Sequence, residues 1–496
     1  MTNQTRIDLA QDFLEYRTVI HNATDRLSSL KSALSPTITT ESNIPIVKTT
    51  IDSLFDQYLS IQIAIDAADC KHDEIEAIID TKNRCFQQLR TLQGLTAAVL
   101  VSTDWQSPSF NHSLHSNAGS QTGKIVENAT DYKRDNHLDA QHYENAFRDT
   151  FIDAPWHNPQ TAHVTSSCMS ALTVVAGSIL STQKHDRPVI IGKHSYFQNK
   201  QVVDGLFGKR VHYANELNAI AFLHDIDQLQ PCAIFIDSLC NVSEVGIPDL
   251  EHLIPIISKR IHHRTTLVID NSGLATSFQP LQYLPKLSKL SIVIVEGLNK
   301  YHQYGFDRVT SGILWASKFS QLPLAGLTQD YGAIIGDASA LSLPPPNRAL
   351  FDAHLARIGR NALELAIATQ NEISKRSMSP FSHVAYPGLP NHPTYDRCKN
   401  RSFNGGFFSI NFKKPFNTPR FYDRFVNDVI STAKAHNVPI ICGTGFGFTT
   451  SRIYVTARFA SQHVTPFIRL SAGSETWDEM ERVKIVLQKA CRDFII

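Results

Sequence analysis

The sequence predicts an α/β protein built from three parts: an α-helical N-terminal extension, a large domain with a mostly parallel sheet, and a smaller α+β domain. Three observations carry this prediction: a helical period in the first hundred residues, short apolar runs between helical stretches in the middle, and a proline run followed by a new pattern. We place the domains at residues 1–110, 111–340 and 341–496.

The N-terminal extension repeats its apolar residues at three- and four-residue spacing over residues 51–61 and again over 75–92. This spacing places them on one face of a helix, as burial of that face requires. Residues 102–124 are rich in Ser, Asn, His and Gly and lack this period, so they predict a loop or linker.

The central part contains short apolar runs that are rich in Val and Ile. They cover residues 188–191, 233–236, 266–269 and 291–295. Helical stretches separate these runs, which is the pattern of parallel strands joined by helical crossovers.

The C-terminal part begins near residues 342–346, where the sequence S-L-P-P-P interrupts the preceding pattern. A helical stretch follows from Ala349 to about Lys375. Gly406–Phe412 then alternates like a strand, and Asp478–Ala490 has the period of an amphipathic helix. These elements predict the smaller α+β domain.

Composition narrows the function classes. Lys+Arg 47 against Asp+Glu 46 gives a net charge of +1, so no broad basic field is present to bind nucleic acid or an anionic membrane surface. No apolar run approaches the roughly 20 residues of a membrane-spanning helix, and the first thirty residues lack the pattern of a secretory signal. Eight scattered cysteines without a C-x-x-C pair, and no H-E-x-x-H motif, predict a cytoplasmic protein without a metal site.

Two residues that follow predicted strands suggest cofactor chemistry. Lys300 follows the run at 291–295, where an amine can react with a carbonyl cofactor, although a lone lysine there is usually a solvated surface residue. Asp270 ends the run L-V-I-D, where a carboxylate can pair with the ring nitrogen of pyridoxal 5′-phosphate (PLP), although most such residues only cap a turn. The small polar residues that open Thr165–Ala176 can form an anion site at a helix start.

Further motifs follow in a fixed order along the chain. They are S-C-M from Ser167, H-S-Y-F around Tyr196, D-S-L-C-N ending at Asn241, D-N-S-G from Asp270, N-K at Asn299 and Lys300, and R-L-S-A-G-S-E from Arg469. In this order, from about Tyr132 to Glu475, the sequence resembles the Cys/Met-metabolism family of fold-type-I PLP enzymes, which includes the cystathionine lyases and synthases.

The resemblance implies a role for each matched residue. The residues it implies for cofactor binding are Ser167, Cys168, Met169, Tyr196, Asn241, Asp270, Asn299 and Lys300, with Tyr132 and Arg134 reaching the phosphate from a neighbouring subunit. Lys300 is implied as the Schiff-base lysine and Tyr196 as the ring-stacking residue that transfers protons. Arg469 is implied to bind the substrate carboxylate. The resemblance therefore implies a homodimer or homotetramer.

The sequence departs from the family pattern at the phosphate site. Gly297 and Asn299 stand where the family often has Ser and Thr, Cys168 replaces a glycine, and Leu239 replaces a proline. The extension of about a hundred residues is also longer than the family usually carries.

The resemblance implies a PLP-dependent lyase or transferase that acts on an amino acid by Schiff-base exchange, α-proton abstraction and β- or γ-elimination or replacement. An aminotransferase or decarboxylase on the same scaffold is the alternative within enzymes, because fold does not fix reaction. A cofactor-free interaction scaffold is the alternative of another class.

Overall fold

A computed structural model gives the structure of this chain. It describes residues 2–34, 44–70, 72–104, 106, 133–134, 137–154, 156–182, 186–375, 379–458 and 465–494. Most of the linker predicted at 102–124 lies outside these residues.

The N-terminal extension is helical, as predicted. Its helices are α1 (Thr2–Ala33), α2 (Ile44–Ala67) and α3 (Ile75–Leu100). Each helix turns one apolar face inward, where Leu27, Tyr58 and Leu89 are fully buried. Burial of these faces supplies most of the stability of such helices, because propensity alone contributes little.

The central part contains a large sheet and the helices around it. In chain order the elements are α4 (Leu138–Phe151), β1 (Ala162–Thr165), α5 (Cys168–Thr182), β2 (Val189–Gly192), α6 (Phe197–Phe207), β3 (Val211–Ala214), α7 (Ala219–Leu229), β4 (Ala233–Asp237), α8 (Leu250–Arg260), β5 (Thr265–Asp270), β6 (Leu290–Gly297), β7 (Gly312–Ala316), α9 (Leu324–Asp330) and α10 (Asp337–Ser342). The seven strands are ordered β1-β7-β6-β5-β4-β2-β3. Strands β2 to β6 pair in parallel, and β7 is antiparallel to both of its neighbours.

The four apolar runs predicted as strands correspond to β2, β4, β5 and β6. Successive side chains of these strands enter two different cores: Ile292 and Ile294 pack in one, and Val293 and Val295 pack in the other. Both faces of the sheet are therefore covered, which explains why the runs are continuously apolar.

The C-terminal part has its own sheet. Its elements are α11 (Arg348–Ser374), β8 (Phe381–Ala385), α12 (Tyr395–Cys398), β9 (Phe407–Phe412), α13 (Pro419–Ala435), β10 (Ile441–Cys442), β11 (Arg452–Thr456), β12 (Phe467–Ser471) and α14 (Trp477–Asp493). The strand order is β10-β11-β12-β9-β8, and all pairs except β10 with β11 are antiparallel. The predicted fold class is confirmed, whereas the exact domain boundaries stay a prediction.

The N-terminal helices pack against both other parts. Arg357 of α11 is buried, and its guanidinium contacts the Asp12 carboxylate and donates to the Asp8 carbonyl oxygen at 2.7 Å. In α3, the Phe86 ring stacks on Phe306 with ring centres 4.9 Å apart, and Arg90 Nε donates to the Phe306 carbonyl oxygen at 2.8 Å. The extension therefore contacts the loop that follows Lys300.

Two kinds of feature are absent from the described residues. No described helix combines the length and apolar character needed to cross a lipid bilayer. Within the same residues, no group of His, Cys, Asp or Glu side chains is arranged to hold a metal ion.

Candidate active site

A cavity of about 650 Å³ lies between the two sheets, and we call it the inter-sheet cavity. The loops after β4, β5 and β6 form one side, and residues 444–446 with β11 and β12 form the other. The predicted site residues that line it are Ser167, Cys168, Met169, Tyr196, Asn241, Asp270, Asn299, Lys300 and Arg469. Its place at the carboxyl ends of parallel strands is the usual place for a ligand in an open α/β sheet.

Two predicted site residues are not part of this cavity. Tyr132 lies outside the described residues. Arg134 is exposed and does not line the cavity. Both were expected to act on a neighbouring subunit, and that expectation stays a prediction.

Two carboxylates stand side by side at the bottom of the cavity. Asp237 ends β4 and Asp270 ends β5, and they are paired positions in the sheet. Asn199 Nδ2 donates to Asp237 Oδ1 at 3.3 Å and to Asp270 Oδ2 at 2.9 Å. Burial, and then the charge of Asp270, raises the pKa of Asp237 well above its ordinary value. Asp237 therefore tends to keep its proton beside Asp270.

Lys300 extends its amine into the same space. Nζ lies 5.3 Å from the centre of the Phe446 ring, and it forms no hydrogen bond within the described part of the chain. Burial, and then the positive charge of Arg469, lowers the pKa of Lys300. The amine is therefore easier to deprotonate than an ordinary lysine, as a nucleophile or proton acceptor requires.

A glycine allows the second sheet to approach Lys300. Gly447 has φ +83, and a Cβ atom there would lie 2.6 Å from the carbonyl carbon of Lys300. Any other residue would meet both a strained backbone and a clash.

Tyr196 keeps its phenol protonated near neutral pH. Its hydroxyl donates to Gln198 Oε1 at 2.8 Å, and its backbone N–H donates to Asp237 Oδ2 at 2.8 Å. Burial is the main cause that raises the pKa of Tyr196. The side chain can therefore act as a hydrogen-bond or proton donor in the cavity.

Arg469 is a buried cation on β12 and forms no ion pair within the described residues. Nη1 donates to Asn241 Oδ1 at 3.0 Å, and Nη2 donates to the Gly445 carbonyl oxygen at 3.4 Å. Nε is buried without an acceptor among the described residues, and burial lowers the pKa of Arg469 to about 10. A cation in this state fits a carboxylate ligand.

The start of α5 provides an anion site. Its first N–H groups, those of Cys168 and Met169, have no acceptor in the described part of the chain, and both residues line the cavity. A Cβ atom at Gly312 would lie 2.5 Å from Cys168 N, so glycine at this position lets β7 pass close to the helix start. Free N–H groups at the positive end of a 15-residue helix favour a phosphate.

Sequence reasoning missed several residues in and around the cavity. Asn199 and Asp237 were not predicted, although β4 and β5 both end in Ile-Asp and this shared ending was a usable signal for Asp237. Ser272 was also missed: its hydroxyl accepts from Gly297 N at 2.8 Å and lies 3.6 Å from Cys168 Sγ. It provides a hydroxyl beside the positions where the family pattern expects Ser and Thr.

The groups of this cavity fit a cofactor that carries an aldehyde, a basic ring nitrogen and a phosphate. The amine of Lys300, the carboxylate of Asp270 and the helix start at Cys168 supply one partner for each of these groups. Arg469, which has no ion pair among the described residues, supplies the partner for an amino-acid carboxylate.

Comparison with known proteins gives a family match over most of the chain. The model of the family described as Cys/Met metabolism PLP-dependent enzyme matches residues 96–482. Among curated proteins, the bifunctional enzyme flvA of Aspergillus flavus is 22% identical over 315 residues, which are 63% of this chain. This chain spans only 37% of the length of that relative.

Solved structures share the fold. Cystathionine gamma synthase from Xanthomonas oryzae pv. oryzae, in complex with aminoacrylate and cysteine, has a TM-score of 0.59 and 18% identity, covering 80% of this chain and 98% of that chain. Apo CalE6, a methionine gamma lyase from Micromonospora echinospora, has a TM-score of 0.55 and 19% identity, covering 72% of this chain and 88% of that chain. At these identities the likeness concerns the fold.

Proposed function

Because this chain belongs to the Cys/Met metabolism family of PLP-dependent enzymes, we propose that it catalyses elimination or replacement at the β or γ carbon of an amino acid. Family membership makes the chain a PLP-dependent enzyme, so the cofactor-free scaffold was the wrong alternative. The observation that carries the proposal is that Lys300, Asp270 and Arg469 face one cavity. Aminoacrylate, the ligand of a related structure, is an elimination product of a three-carbon amino acid and supports this reaction class.

PLP, when bound, supplies an electron sink for a carbanion at the α carbon of the substrate. Asp270 is proposed to hold the proton of the ring nitrogen, because its carboxylate stands at the end of β5 and faces the cavity. Lys300 is proposed to hold the cofactor and then to take the α-proton, since its lowered pKa leaves Nζ available as a base.

The remaining residues position the substrate and the phosphate. Arg469 binds the α-carboxylate, and Asn241 fixes the orientation of its guanidinium. Tyr196 Oη donates a proton to a leaving group, which its protonated state allows. The helix start at Ser167, Cys168 and Met169 binds the phosphate, and Asn299 lines the cavity beside Lys300.

Assembly and location also belong to this proposal. We propose a homodimer or homotetramer in which Tyr132 and Arg134 approach the phosphate of a neighbouring subunit, and the exposure of Arg134 is compatible with this role. All eight cysteines are free, which supports a reducing, cytoplasmic environment.

The test begins with covalent capture of the cofactor. Borohydride treatment of the purified enzyme with PLP, followed by peptide mass spectrometry, should place the reduced cofactor on Lys300. The Lys300→Ala variant should lose both the label and turnover, whereas Lys193→Ala, which changes an exposed lysine outside the cavity, should keep both. A label on another lysine would contradict the assignment.

A panel of amino acids then separates the reactions. Release of a keto acid together with ammonia indicates elimination, and a new carbon–sulfur or related bond indicates replacement. A requirement for an amino acceptor, or release of carbon dioxide, would instead support the aminotransferase or decarboxylase.

A further inference from the structure

A second cavity, of about 800 Å³, opens at the opposite edge of the large sheet, and we call it the basic cavity. Its lining includes Arg187 before β2, residues 263–266 at the start of β5, residues 288–291 at the start of β6, and Ser317, Phe319, Gln321 and Leu322 after β7. The six-residue strand β5 separates it from Asp270 by about 16 Å, at about 3.3 Å per residue. The two cavities are therefore different sites.

The lining of the basic cavity carries charge of one sign. It contains Arg187, Arg264, Lys286, Lys289, His157 and His263, and none of its described lining residues is acidic. Within the described part of the chain, none of the four Arg and Lys side chains forms an ion pair. A concave group of unpaired cations raises the local concentration of anions.

A buried donor in this cavity lacks a partner. Arg187 Nη1 is buried and without a hydrogen bond in the described structure. The Arg187 side chain is otherwise held in place, because Nη2 donates to the Arg264 carbonyl oxygen at 2.8 Å. A buried donor without an acceptor costs free energy, which a ligand oxygen at this position would recover.

Small polar groups and one ring complete the lining. The hydroxyls of Thr266 and Ser291 are 3.3 Å apart at the starts of adjacent strands, and Ser288 and Ser317 lie nearby in the lining. Phe319 lines the cavity and is 67% exposed, so its ring is accessible to a ligand. Hydroxyls and fixed guanidinium groups are typical partners of phosphate oxygens.

We propose that the basic cavity binds a small phosphorylated compound with two or more negative charges. Arg187 and Arg264 contact the phosphate oxygens, and Lys286 and Lys289 provide the surrounding positive charge. The volume lies within the roughly 300–1,000 Å³ typical of small-molecule sites. This site is independent of the proposed reaction, because its residues do not line the inter-sheet cavity.

Calorimetric titration of the PLP-loaded enzyme with tripolyphosphate, after removal of unbound PLP, tests the proposal. The phosphate site of the inter-sheet cavity is then filled, and no free PLP competes for the basic cavity. Arg264→Gln changes an exposed side chain and should weaken tripolyphosphate binding roughly tenfold to a hundredfold. Arg187→Gln should do the same. Lys209→Gln removes one exposed charge outside the cavity and should bind as the unchanged protein does.

The Phe319 ring distinguishes two classes of phosphate ligand. If ATP binds more tightly than tripolyphosphate, and Phe319→Ala removes this advantage, the ligand is a nucleotide-like phosphate ester. Equal binding of both probes would assign the site to the phosphate chain alone, which still supports the proposal.

Two results would overturn it. One is equal affinity for tripolyphosphate in the unchanged protein, Arg264→Gln and Lys209→Gln, because binding would then follow overall charge. The other is a change in oligomeric mass without a change in tripolyphosphate affinity in Arg264→Gln, since the cations would then contact another copy of the chain. The melting temperature of each variant shows whether it is folded. If Arg187→Gln does not fold, the tripolyphosphate affinity of Arg264→Gln alone decides whether the basic cavity binds the anion.

Discussion

Asp237 and Asp270 occupy paired positions at the ends of adjacent parallel strands, and the side-chain amide of Asn199 donates a hydrogen bond to each. Two carboxylates on neighbouring strand ends repel each other when both are charged. The raised pKa of Asp237 and the shared donor together lower this repulsion. Asn199 is therefore a positioning residue for the carboxylate of Asp270.

The first prediction concerns Asn199. We expect Asn199→Ala to lower kcat by roughly tenfold or more, because a hydrogen bond to a charged group is lost while PLP remains held by Lys300. The hydrogen bond from Asn199 lowers the pKa of Asp237. Loss of this bond should raise that pKa and move the pH profile of kcat to higher pH, a shift that simple destabilisation would not produce.

Two further variants test this interpretation of Asn199. Asp237→Asn, added to Asn199→Ala, should abolish this shift of the pH profile, because the carboxyl group whose pKa changes is then absent. Asn400→Ala, an exposed change away from the cavity, should have no effect. An unchanged pH profile in Asn199→Ala would show that Asn199 has only a packing role.

The second prediction concerns the pH dependence of covalent cofactor capture by Lys300. Only the deprotonated amine reacts, and the pKa of Lys300 is lowered by burial and by Arg469 and raised by Asp270. The capture rate of the apoenzyme should therefore reach half its maximum below the usual pKa of a lysine. Arg469→Gln should move this midpoint to higher pH, and Asp270→Asn should move it to lower pH.

Borohydride quenching at timed intervals measures these capture rates across the pH range. If the two substitutions moved the midpoint in the same direction, the electrostatic explanation would be wrong.

The third prediction concerns substrate binding by Arg469. We expect Arg469→Ala to raise KM for the amino acid by roughly tenfold to a hundredfold, because a charge-assisted bond to the carboxylate is lost. Asn241→Ala should raise KM less, since it removes only the 3.0 Å contact that orients the guanidinium. Arg420→Ala, an exposed change on α13, should leave KM unchanged in steady-state assays. A normal KM in Arg469→Ala would rule out its role in carboxylate binding.

The fourth prediction compares a buried and an exposed ion pair. Arg357→Ala leaves the buried carboxylate of Asp12 without its cation and should lower the free energy of unfolding by about 3–5 kcal/mol. Arg17→Ala breaks an exposed pair with Asp66 of 2.9 Å and should cost less than about 1 kcal/mol. Urea titration followed by the circular dichroism of the helices measures both. Equal losses would show that α1 does not depend on the Arg357 contact.

The sequence predicted β2, β4, β5 and β6, which are buried on both faces, because a short, continuously apolar run such as that of β6 is typical of a strand covered by helices on both sides. It did not predict β7, which is also buried on both faces, and it did not predict β1, β3, β8, β10, β11 or β12. Strands β1 and β3 have four residues each, and β11 mixes half-buried and buried side chains without a long apolar run. Such strands form because neighbouring strands pair with them, and this information is not local.

The lack of non-local information also limited the prediction of site residues from the sequence. Lys300, Asp270 and Arg469 belong to motifs that are continuous in the sequence, and the structure brings them to one cavity. Asn199 lies in a helix whose sequence gives no sign that its amide reaches two strand ends. Only the crossover geometry, which places α6 over the ends of β4 and β5, makes that contact.

The stacking of Phe86 on Phe306 has a practical consequence for anyone who shortens this protein. The region shared with the family begins at residue 96, so a chain trimmed to that point would omit Phe86 and Arg90. Such a protein would lose the aromatic support and the hydrogen bond that hold the segment downstream of Lys300. We therefore expect the trimmed protein to lose activity even if it folds. The first hundred residues support the segment that follows Lys300 and should be kept in any shortened form of the protein.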